Sequence, residues 1–185
     1  MTITETAPAG TVTRYWKTGL VIGHLSLDGV TDGDPASAVP ASSERCQSLP
    51  ATAVPGLAAL QEQLLASMND VARADAAPPV TRIEVSVQAW RNGYDAPASA
   101  TPARYAAWVY LAASGAPAHS ESGCLAFSDP RAGSAMTAMP GLPFGRQFIV
   151  RPVPGACAVV PGWLTSSVIP LEPRQHVTVA IAAGY

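Results

Sequence analysis

From Pro79 to Tyr185 the chain is cut by glycine and proline into segments too short for helices, and this feature most constrains its fold. Between the cuts lie runs rich in β-branched and aromatic residues: Thr81–Trp90, Tyr105–Ala112, Cys124–Phe127, Phe148–Val150, Ala156–Val160, Ser166–Ile169 and His176–Ala182. One convincing helix precedes them. Leu57, Leu60, Leu64, Leu65, Met68 and Val71 recur at helical spacing, with Gln61, Glu62, Asn69 and Asp70 falling elsewhere, and Pro78-Pro79 ends the region. Further upstream, Thr11 to Leu27 predicts one or two strands, and Gly29 to Pro50 predicts a long surface loop. A single helix followed by many short strands predicts a β-sandwich or barrel with helical buttressing. Residues 1–10 predict a disordered tail and 11–185 a single domain, with no internal repeat.

At 185 residues the chain is long enough to bury a real core without staples. Only 13% of residues are charged, about half the usual share. A surface so poor in charge predicts that part of it is covered, most simply in a homodimer. The net charge of −2 and scattered arginines argue against nucleic acid, whose phosphates need clustered cations. Cys46, Cys124 and Cys157 are odd in number and widely spaced, so they predict plain thiols, neither a disulfide framework nor a zinc site. The acidic start MTITETAPAG has no charged n-region or apolar h-region, and no apolar run approaches the roughly 20 residues of a bilayer span. The expectation is a cytoplasmic protein without a membrane partner.

Five motifs then occur in order. They are Ala89–Asn92 (AWRN), Trp108–Leu111 (WVYL), Gly123–Arg131 (GCLAFSDPR), Pro154–Leu164 (PGACAVVPGWL) and His176–Ala182 (HVTVAIA). Together they resemble the small bacterial 2-oxoglutarate/iron(II) oxygenases, over about residues 80–185. The resemblance implies a mainly β chain, a double-stranded β-helix of the jelly-roll or cupin-like kind with one or more flanking helices. It also implies an iron site of two imidazoles and a carboxylate, with positions left open for 2-oxoglutarate and oxygen. Carried over by motif, the proximal ligand pair falls on Ala98 and Ala100, the distal imidazole on Ser166, and the cosubstrate arginine on His176, with Arg174 two residues earlier. Alanine has no lone pair to donate and a serine hydroxyl is a poor ligand for this metal. The scaffold is retained while the metal-binding triad is lost, so no metal and no cofactor are expected.

That contrast predicts a pseudo-oxygenase: a metal-independent catalyst, such as a cyclase or isomerase, or a binder of a small apolar molecule in bacterial secondary metabolism. Alternatives are an active oxygenase with relocated ligands, for which His119, Glu121 and His176 are the candidates, and a non-catalytic partner of an active homologue. Candidate substrate contacts are Trp90, Ala98, Ala100, Tyr105, Trp108, Arg151, Ser166 and Arg174, with His176 as general acid or base. His24 is expected to be a satisfied or exposed histidine, and Arg131 to pair locally with Asp129.

Overall fold

The computed structural model describes residues 11–15, 18–40, 42–114, 120–130 and 147–185. The expected tail, His119 and Arg131 lie outside these residues. The strands are β1 (Thr11–Tyr15), β2 (Thr18–His24), β3 (Cys46–Leu49), β4 (Ile83–Arg91), β5 (Ala96–Ser99), β6 (Tyr105–Ser114), β7 (Leu125–Phe127), β8 (Phe148–Val150), β9 (Ala156–Pro161), β10 (Ser166–Val168) and β11 (His176–Gly184). A seven-stranded sheet in the order β1-β2-β9-β6-β11-β4-β3 packs against a four-stranded sheet in the order β5-β10-β7-β8. Every pairing is antiparallel. This is a double-stranded β-helix, as the motifs imply.

The helix α1 (Leu57–Ala74) buries Leu60, Leu64, Met68 and Val71 against the outer face of the large sheet. The central strand β6 therefore has two cores to fill. Ala106, Trp108 and Tyr110 turn toward the small sheet, while Ala107, Val109 and Leu111 turn toward the helix. A strand covered on both faces needs apolar residues at every position, and YAAWVYLAAS supplies nearly that. Opposite β11 the alternation breaks once: Val179 faces Tyr110 and Thr178 faces Ala112, so Leu111 is an extra residue, a β-bulge.

Two strands lie where none was expected. Residues of β3 fall inside the predicted surface loop, and β5 carries Ala-Pro-Ala-Ser. Both are edge strands, where polar side chains and a proline without an N–H are tolerated. The same loop also contains a short 3-10 helix, η1 (Pro35–Ala38), capped by Asp34. No helix among the described residues is long and apolar enough to cross a membrane.

The buried hydroxyl of Tyr110 ties the two sheets. It donates to the Gly123 carbonyl at 2.8 Å and accepts the Leu125 N–H at 3.0 Å. Burial drives its pKa far above the ordinary phenol value, so the group remains a donor. At the opposite end, Gly162 closes the β9–β10 turn onto the residues before β6. Its N–H donates to the Arg104 carbonyl at 2.8 Å, and its carbonyl accepts the Thr101 N–H at 2.9 Å.

Candidate functional site

Between the ends of the two sheets opens a half-open cavity of about 430 Å³. Its floor is apolar, formed by Ala106, Trp108, Leu164 and Ile181. Strand β4 contributes Glu84 and Ser86, the β5 end contributes Ser99, Ala100 and Thr101, and β10 contributes Ser166. Period-two geometry explains the set: Trp108 and Ile181 are paired across β6 and β11 and face the same interior. Trp108 meets Phe127 edge to face, with centroids 5.6 Å apart.

Ser166 stands opposite Ser99 across β10 and β5, whereas Val168 stands opposite Ala96. Three steps along β5 thus match two along β10, which is a bulge. Ala96 and Val168 both pack into the core between the sheets. The extra residue shifts the strand's facing by one place, so Ser99 meets Ser166, and Ala98 is left exposed outside the cavity lining. Ser99 is a site residue that the motif spacing passed over, because a bulge depends on the partner strand's register.

The other candidates divide. Ala100, Trp108 and Ser166 line the cavity. Trp90 is buried deeper in the interior, where its Nε1 donates to Gln88 Oε1 at 2.9 Å and its ring stacks on Tyr94 at 5.1 Å. Tyr105 turns toward the helix-side core and borders a separate depression of about 260 Å³ with Arg104 and Trp163. Arg151 is exposed and donates to the Ser120 carbonyl at 3.0 Å. Arg174 is not on a strand face. It sits in the turn before β11 with a positive φ of 68°, its N–H donating to Asn92 Oδ1 at 3.0 Å.

His176 corrects the sequence expectation most. Val177 and Val179 point into the barrel, so His176 and Thr178 project from the opposite face of the large sheet. There His176 Nε2 lies 3.1 Å from Asp34 Oδ2, and Ser114 Oγ lies 2.6 Å from Nδ1. Asp34 also accepts the buried Thr178 hydroxyl at 2.6 Å and the Ala36 N–H at 2.9 Å. The carboxylate is a clasp that fixes η1 to the sheet, and His176 belongs to that clasp. Asp34→Ala removes the cap and leaves the Thr178 hydroxyl buried without its acceptor. It is expected to lower unfolding stability by about 2 kcal/mol, read from urea denaturation. A change within about 0.5 kcal/mol, the range of neutral surface substitutions, would show that the clasp does not hold.

The donor set does not suit iron(II). That ion in this fold takes two imidazoles and a carboxylate, whereas alcohols stand at Ser99 and Ser166, and the carboxylate of Glu84 lies at the rim, 3.3 Å from Arg82. Among the described residues no three His, Cys, Asp or Glu side chains gather to hold a metal. Glu121 is exposed in the loop before β7, and His176 faces the other side of the sheet. The cysteines are free thiols. Burial pushes Cys124 and Cys157 up to about 11 and raises Cys46, so all three stay protonated at neutral pH.

The sequence matches no protein-family model and no curated protein. Solved structures do match. The α-ketoglutarate-dependent non-haem epimerase SnoN of nogalamycin biosynthesis superposes with a TM-score of 0.56 at 15% identity, over 92% of this chain and 78% of that one. HygX from Streptomyces hygroscopicus, solved with nickel and 2-oxoglutarate, gives 0.54 at 17% identity, over 90% of this chain and 83% of that one. A Pseudomonas putida prolyl-4-hydroxylase gives 0.51 at 17% identity, over 72% of this chain and 66% of that one. The chain therefore has the fold of the 2-oxoglutarate/iron(II) oxygenases.

Proposed function

We propose that this chain is a pseudo-oxygenase that holds a small molecule in the barrel mouth without iron. The observation that carries the reading is the pairing of Ser99 with Ser166 beside the cavity, on the strands to which the sequence motifs assign the family's metal ligands. Two alcohols there offer hydrogen bonds where an oxygenase needs imidazole and carboxylate. The floor of Trp108, Leu164 and Ile181 suits an apolar part of a ligand, while the polar rim favours a ligand less wholly apolar than the sequence predicts. A cavity of this size suits orientation chemistry, in which a flexible substrate is held in a reactive shape for cyclisation or isomerisation. Such reactions are redox-neutral. Among the described lining residues Glu84 is the one carboxylate, so it replaces His176 as the candidate acid–base group. SnoN's place in nogalamycin biosynthesis supports a setting in secondary metabolism.

Metal titration tests the proposal. Purified protein is expected to carry no stoichiometric iron by elemental analysis and to show no saturable iron(II) binding up to about 0.1 mM. Stoichiometric iron, together with 2-oxoglutarate turnover that EDTA abolishes and iron(II) restores, would overturn the reading in favour of an oxygenase with relocated ligands.

A further inference from the structure

The lining of the cavity also constrains what it holds, given the reading above that the site works without iron. That lining carries little charge. Among the described residues Glu84 carries the only ionisable side chain of the lining, and its charge partner Arg82, at 3.3 Å, stands outside that lining. A dicarboxylate such as 2-oxoglutarate would meet the Glu84 carboxylate, and the cation beside it, Arg82, is already paired with Glu84 at 3.3 Å, so acidic ligands gain little.

Hydrogen-bonding capacity narrows the class further. Ser86, Ser99, Thr101 and Ser166 are alcohols, each able to donate one hydrogen bond and to accept others, and Glu84 accepts only. A purely apolar guest would strip water from these groups and return nothing. A guest bearing several hydroxyls satisfies both roles at once. The other side of the cavity is different in kind: Trp108, Ile181, Leu164 and Ala106 present a continuous apolar surface. A saturated ring with hydroxyls around its edge and C–H bonds on its faces matches both halves, because its edge is polar and its face is not. The volume of about 430 Å³ accommodates about one or two such rings.

We infer that the ligand class is an uncharged polyhydroxylated ring, a sugar or cyclitol unit, laid face-down on Trp108 and Ile181 with its hydroxyls toward Ser99, Ser166, Ser86 and Glu84. Saturation-transfer NMR on the full chain tests this with three probes: methyl β-D-glucopyranoside, indole and 2-oxoglutarate. The glucoside is expected to show transfer, and the double variant Ser99→Ala, Ser166→Ala to weaken it about tenfold, the loss of two hydrogen bonds. Indole binding is expected to survive in that variant, which also reports that the cavity is still folded. If indole binds and Trp108→Leu abolishes it, while the glucoside shows no transfer, the sugar class is overturned and the pocket itself stands. Glucoside transfer unchanged in the double variant would overturn the assignment of the ring to this cavity. Transfer to 2-oxoglutarate in metal-free protein would overturn the charge argument. Failure of the metal-free reading itself is read separately, by iron(II) titration.

Discussion

Gly162→Ala is expected to be among the most damaging single substitutions in this chain. A methyl group built at Gly162 would lie 1.8 Å from the Ala103 carbonyl oxygen and 3.0 Å from that of Thr101. Both are backbone atoms, so no side chain can rotate away, and the turn between β5 and β6 must move as a body. Two hydrogen bonds, Gly162 N–H to Arg104 and Thr101 N–H to Gly162, hold that turn in place. Overpacking of this kind costs about 3 kcal/mol. Thr101 and Ala100 lie on the cavity rim, so the same movement should also weaken any ligand of the cavity. Urea denaturation of the variant reads the first effect directly. Stability within about 0.5 kcal/mol of the parent would mean that the turn yields freely and does not shape the rim.

Tyr110→Phe is expected to cost as much by the opposite means, removing an atom instead of adding one. The hydroxyl serves the Gly123 carbonyl and the Leu125 N–H, which lie where the chain enters the small sheet. Tyr110 is fully buried, so water cannot replace the lost partner. Two orphaned backbone groups at about 1–3 kcal/mol each give an expected loss of about 3 kcal/mol. The measurement is the shift in urea midpoint at an unchanged slope. A shift too small to resolve would show that Gly123 and Leu125 find other partners, and that the sheets are joined by apolar packing alone.

These two residues also show what could be read in advance. The long apolar runs of β6 and β11, and the helical spacing of Leu60, Leu64, Met68 and Val71, identify central strands and a buttressing helix from sequence. Motif order then identifies the architecture. Facing was harder. In β11 both faces are covered, so Val177, Thr178, Val179 and Ala180 are all buried, and no alternation marks which side meets the cavity. The motif puts His176 at the cosubstrate arginine's position, whereas its side chain belongs to the clasp with Asp34. Strands β3 and β5 were missed because edge strands carry little β-forming sequence. Ser86 and Glu84 are not legible as lining residues for a related reason. They lie on a strand recognised as a strand, but only the pairing of β4 with β11 brings them to the cavity.

The bulge in β5 bears on what it would take to build a metal-ligand pair on this strand. An imidazole and a carboxylate separated by one residue share a face only on an unbroken strand. In this chain the positions that the motif assigns to that pair, Ala98 and Ala100, are both exposed, but Ala100 lies past the end of β5 and alone of the two borders the cavity. Two ligands written at those positions would start from one residue on the cavity lining and one outside it. Bringing both to the lining would call for a change of backbone register as well as of side chains. A backbone insertion thus makes a ligand pair harder to install on this strand than side-chain changes alone would.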